Sequence, residues 1–126
     1  MPHVLVVEDD TDILSSLVEV IRDEGYEVFS AANGYQALTE IANQPIDLIF
    51  LDLMMPVMDG WAFRSAQRQL TGAAAQVPVI VLSGAREVRA RAAELGAVEA
   101  LSKPFDLHLV VEAVARWVRP HPHGTE

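Results

Sequence analysis

Ile46-Asp47-Leu48-Ile49-Phe50-Leu51 runs into Asp52, and Leu53-Met54-Met55-Pro56-Val57-Met58-Asp59-Gly60 follows at once. The unbroken apolar stretch from Leu48 to Leu51 reads as a strand of a parallel sheet, covered on both faces. Such a strand carries Asp52 to its C-terminal tip, which is where open α/β sheets bind their ligands. A lone carboxylate in that place is a candidate nucleophile.

Two more strands end in polar groups. His3-Val4-Leu5-Val6-Val7 runs into Glu8-Asp9-Asp10, and Pro78-Val79-Ile80-Val81-Leu82 runs into Ser83-Gly84. Acids and a hydroxyl at several strand ends predict one shared, acidic cluster.

Between the strands the apolar period changes to that of helices. Ile13, Leu14, Leu17, Val18 and Ile21 predict a first helix, with Gly25 as a left-handed stop. Tyr26-Glu27-Val28-Phe29 alternates as an outer strand. Asn33 is placed to cap a second helix through Ala37, Leu38, Ile41 and Ala42, with Gln36 completing a capping box and Pro45 closing it. Asp59 or Gly60 opens a third helix through Trp61, Phe63, Ala66 and Leu70, and Thr71-Gly72-Ala73-Ala74-Ala75-Gln76 reads as a loose loop. A fourth helix is expected from about Arg86 to Leu95, stopped by Gly96, and a short fifth strand from Val98 to Ser102. Asp106 caps a final helix with Leu107, Val110, Val111, Val114 and Val118 on one face. Five βα units predict one α/β domain over residues 1–119, with residues 120–126 as a flexible tail.

The chain has 126 residues, enough for one domain with a real core. Nine basic against eighteen acidic residues give a formal net charge of −9, which argues against a nucleic-acid-binding face and suits a carboxylate-lined cation site. Without cysteine there is neither a disulfide framework nor thiolate chemistry. The start lacks the pattern of a secretion signal and no apolar stretch reaches transmembrane length, so the expectation is a cytoplasmic protein with no membrane contact.

Taken in order, five features make the chain resemble the receiver domain of bacterial two-component response regulators over nearly its whole length. They are Glu8, Asp9 and Asp10 after the first strand, Asp52 ending the third, Pro56-Val57-Met58-Asp59-Gly60 after it, Ser83 ending the fourth, and Lys103-Pro104-Phe105 after the fifth. Each alone is common; all of them in this order at these spacings are specific.

The resemblance implies a doubly wound, flavodoxin-like α/β fold, with five parallel strands in order 2-1-3-4-5 and five helices. It implies that Asp52 accepts a phosphoryl group from a histidine in a magnesium-dependent reaction. The magnesium ligands would be Asp9, Asp52 and the backbone carbonyl of Met54, with Glu8 acting through water; Asp10 is read as the cap of the first helix. Ser83 and Lys103 would stabilise the phosphoryl oxygens, and the Lys103–Pro104 bond is a candidate cis peptide. The implied partner is a sensor histidine kinase or a histidine phosphotransfer protein, with a weak homodimer as a candidate assembly, and the charge argues against direct nucleic-acid contact. The chain would signal by conformational change and would not be a turnover enzyme.

One position departs from the family. Receivers usually carry an aromatic side chain three residues before the lysine, which swings inward on activation; here that position is Ala100, which has no rotamer to switch. Phosphoryl acceptance is untouched by this, but output would have to leave through the loop after Ser83 or through a helix carrying Arg86, Arg89 and Arg91, if by that face at all. Those arginines also read as an ordinary solvated face.

Plainer readings stand beside the functional ones. Ser83 alone could be a turn hydroxyl and Lys103 a surface lysine. Gly84 and Ala85 either make room for the phosphoryl group or only form a turn. His3 and His108 read as structural or exposed, His121 and His123 as part of the tail, and Trp61 and Trp117 as packing residues. Two other functions are weighed: a phosphohydrolase or phosphomutase, disfavoured by Met54 where such enzymes carry a second Asp, and a non-phosphorylated protein-interaction module on a receiver scaffold, disfavoured because every acceptor-site position is filled. A dinucleotide-binding domain is excluded by the lack of a glycine-rich loop after the first strand.

Overall fold

In a computed structural model, residues 2–55, 57–84 and 90–118 are described. The elements are β1 (His3–Val7), α1 (Thr11–Asp23), β2 (Glu27–Ala31), α2 (Gly34–Asn43), β3 (Leu48–Asp52), α3 (Gly60–Arg68), a 3-10 turn (Gly72–Gln76), β4 (Val79–Ser83), β5 (Glu99–Ser102) and α4 (Leu107–Trp117). All pairings are parallel and the strand order is β2-β1-β3-β4-β5, as expected.

Alternate residues of each strand feed two cores. Val4, Val6, Leu48, Phe50, Ile80 and Leu82 pack with Leu17 and Ile21 of α1 and with Val110 and Val114 of α4. Leu5, Val7, Ile49, Leu51, Val79 and Val81 face the other way, onto Ala37 and Ile41 of α2 and Phe63 of α3. The central strands are therefore apolar throughout, because both faces are covered.

The helix caps follow the sequence. Asp10 Oδ1 accepts from the N–H groups of Asp12 and Ile13, Asn33 Oδ1 from Gln36, Asp59 Oδ1 from Ala62 and Asp106 Oδ1 from His108. Gln36 reaches back to the N–H of Ala32, one residue beyond a strict capping box.

Several expectations are corrected. The outer strand is Glu27–Ala31 rather than one starting at Tyr26, because its register against β1 runs from His3↔Glu27 to Val7↔Ala31. The third helix ends at Arg68, and its buried face is Gly60, Phe63, Arg64 and Gln67, while Leu70 is exposed. The loose loop is a 3-10 turn, held by Gln67 Nε2 donating to the carbonyls of Ala74 and Val77. The fifth strand starts at Glu99, not Val98. Leu107 is exposed at the start of α4, and Trp117 is half-exposed, its indole N–H donating to Glu99 at 2.7 Å. Of the fourth expected helix, residues 86–89 lie outside the described residues, with Arg86 and Arg89, as does Ala85 before it; Arg91 is described and exposed. The last turn of that helix is described and ends at Gly96. Pro56 and the tail with His121 and His123 also lie outside the described residues.

Candidate functional site

The topology sends β1, β3, β4 and β5 to one edge, so Glu8, Asp52, Ser83 and Lys103 arrive together from four strand ends. Each of the first three is nearly inaccessible: Glu8 and Ser83 are 1 % exposed and Asp52 is 3 %. Lys103 Nζ lies 2.9 Å from Glu8 Oε1 and 3.3 Å from Asp52 Oδ2. Lys103 is itself fixed by its backbone N–H, which donates to the Ser83 carbonyl at 2.8 Å, and the Lys103–Pro104 bond is cis. On the other side of Asp52, the Met54 N–H donates to Asp52 Oδ1 at 3.1 Å.

Glu8, Asp9 and Asp52 each offer a carboxylate oxygen, and these oxygens all lie within 4.8 Å of one another. Asp9 is exposed and Asp10 is turned away to cap α1. The Glu8 contact with Lys103 is an ion pair, and among the described residues Glu8 Oε1 has no hydrogen-bond partner. A buried carboxylate oxygen without a hydrogen bond, beside two further carboxylates, fits an oxygen-preferring dication.

Burial pushes the Glu8 carboxyl up to about 7; neighbouring Asp52 adds to this and contact with Lys103 opposes it without prevailing. For Lys103 burial works against the charged form, but the two carboxylates outweigh it and the ammonium is held above its usual value. The lysine is thus the internal countercharge of the acidic cluster.

Of the other candidates, Gly84 shows no crowding, since a Cβ there would stand 3.9 Å from Lys103 Cβ. Ala100 is half-buried against the core on the α2–α3 side of the sheet. Trp61 packs on the same core, whereas His108 is exposed beside Glu112. His3 stacks on Phe29 at the far end of the sheet. The Glu8–Lys103 contact is absent from the sequence reading. β1 and β5 are not neighbours in the sheet, so neither spacing nor register signals a contact made over the strand tips.

The model of the response regulator receiver domain family matches residues 4–115. Transcriptional regulatory protein PrrA of Mycobacterium tuberculosis is 43 % identical over 117 residues, covering 91 % of this chain and 48 % of that protein. Sporulation initiation phosphotransferase F of Bacillus subtilis is 33 % identical over 117 residues, covering 91 % and 92 %. Among solved structures, the chemotaxis response regulator CheY4 of Vibrio cholerae superposes with a TM-score of 0.84 at 30 % identity, covering 94 % of this chain and 99 % of that one. The chain spans about half the length of the first curated relatives it matches.

Proposed function

The chain belongs to the response regulator receiver domain family, and from that premise we propose that it is a phosphorylation switch with Asp52 as the acceptor. The observation that carries this reading is a buried carboxylate at the tip of β3, 3.3 Å from Lys103 Nζ, with Ser83 ending the adjacent strand. An oxygen of Asp52 attacks the phosphorus of a donor phosphohistidine. The phosphorus–nitrogen bond breaks, its electron pair stays on the imidazole nitrogen, and that nitrogen takes a proton as the imidazole leaves. Lys103 and Ser83 then contact the phosphoryl oxygens, by an ammonium and a hydroxyl donor.

Asp9, Asp52 and the Met54 carbonyl, with Glu8 through water, are the residues that would hold magnesium. Bound there, the ion supplies positive charge against the carboxylates and the incoming phosphoryl group. Such a chain modifies itself and turns over no separate substrate. Its donor is a sensor histidine kinase or a histidine phosphotransfer protein. The net charge of −9 speaks against direct nucleic-acid contact by this domain, although its relative PrrA is named a transcriptional regulatory protein. Among the described residues no helix is long and apolar enough to cross a membrane, which accords with the cytoplasmic place of such a donor. With Ala100 in place of a movable ring, the conformational signal leaves chiefly through the loop after Ser83.

Incubation with acetyl phosphate and magnesium, followed by intact-mass measurement, tests the reading. A single phosphoryl adduct on the wild type, lost in Asp52→Asn, is expected. An undiminished adduct on the variant overturns the assignment, and no adduct on either chain leaves the protein-interaction module as the better account.

A further inference from the structure

Among the described residues Val57 is the one non-glycine residue with positive φ, at +70°. A β-branched side chain crowds the backbone in this left-handed region. The side chain is 80 % exposed, so packing does not compensate.

Contacts of the surrounding loop work against this backbone preference. Its ends are joined, since the Gly60 N–H donates to the Leu53 carbonyl at 3.0 Å. Only glycine permits that closure: a Cβ at Gly60 would stand 2.6 Å from Leu53 Cδ2 and 2.7 Å from Leu53 Cα. Within the loop Met55 is buried and Met58 lies against Gly34 at the start of α2. With the ends joined and both methionines packed, Val57 stands in the left-handed region.

The same loop holds Met54, whose N–H donates to Asp52 Oδ1 and whose carbonyl is one of the ligands proposed for magnesium. We propose that Val57 is a strained positioning residue that holds down the affinity of the acceptor site for magnesium. The inference rests on the magnesium reading of that site. The left-handed backbone disfavours the loop conformation that presents Met54, and apparent affinity falls with the fraction of molecules in the competent conformation. Because the side chain is exposed, replacing it changes the backbone preference and little else.

The test uses the unphosphorylated chain, with calorimetric titration of magnesium chloride and thermal melting in a chelator. Val57→Asn and Val57→Gly accept the left-handed conformation, while Val57→Ile keeps the β-branch. Both relieving variants are expected to bind magnesium about threefold or more tightly than wild type. Val57→Asn should melt several degrees higher; Val57→Gly gains less, because glycine also loosens the unfolded chain. Val57→Ile should match wild type in both measurements. Unchanged or weaker magnesium binding by the relieving variants, with a wild type that binds, overturns the inference alone. No gain in melting temperature for Val57→Asn removes the strain on which it depends. A wild type that binds no magnesium removes the reading of the site itself, and the inference with it.

Discussion

Glu8 Oε1 and Lys103 Nζ stand 2.9 Å apart across the strand tips, although β1 and β5 are not neighbours in the sheet. The contact puts the lysine between two carboxylates, with Asp52 Oδ2 at 3.3 Å. Without a metal, this ammonium is the charge that allows Glu8 and Asp52 to share a nearly dry site.

The Glu8 carboxyl sits at about 7 in the fold against an ordinary 4.5, so folding favours its protonated form. Metal-free protein therefore loses stability as pH rises from about 4.5 through about 7, and the loss is complete above that. Glu8→Gln keeps the neutral shape at every pH. In a chelator the variant should be more stable than wild type at pH 8, by at most about 3 kcal/mol, with the difference shrinking towards pH 5. Denaturant melts at the two pH values measure this; a variant less stable than wild type at pH 8 contradicts it.

Lys103→Met removes the countercharge while keeping the chain length. In a chelator at pH 8 the loss should be on the order of 2 kcal/mol, because two buried carboxylates are left facing each other. Saturating magnesium should restore part of it, since a dication then offsets the same charges. Equal losses with and without magnesium would show that the ion and the lysine do not serve the same oxygens.

Adjacent acids should behave differently. Asp9→Ala is expected to weaken magnesium binding by about tenfold or more with little effect on the melt of the metal-free chain. Asp10→Ala should cost about 1 kcal/mol through the lost α1 cap and leave magnesium binding nearly intact. Calorimetry and chemical denaturation on the two variants separate the roles, and equal losses of affinity would mean that the acidic run has been misassigned.

The sheet and the cluster at its edge were legible because the signals are local. Apolar runs mark β1, β3 and β4, and Glu8, Asp52 and Ser83 interrupt them where the strands end. The caps at Asp10, Asn33, Asp59 and Asp106 were legible for the same reason. Arg64 and Gln67 were not, because polar side chains at helical spacing read as a solvated face. In the fold Arg64 donates to the carbonyls of Leu95 and Gly96 and to Gln67 Oε1, and Gln67 Nε2 donates to those of Ala74 and Val77. The carbonyls of Leu95 and Gly96 lie 31 and 32 residues from Arg64, so only the tertiary arrangement makes the face of α3 an inward one. Trp117 departs from a packing role for the same reason: its indole N–H donates to the Glu99 carboxylate, which also pairs with Arg116.

The phosphoryl group is expected to rest on Asp52 as an acyl phosphate. Treating the chain with acetyl phosphate and magnesium, then with sodium borohydride, reduces an aspartyl phosphate to homoserine, which peptide mass spectrometry locates. Homoserine is expected at position 52 and at no other aspartate, with none formed when magnesium is chelated. Homoserine at position 9 or 59, or a phosphoryl adduct that survives borohydride unchanged, would contradict it.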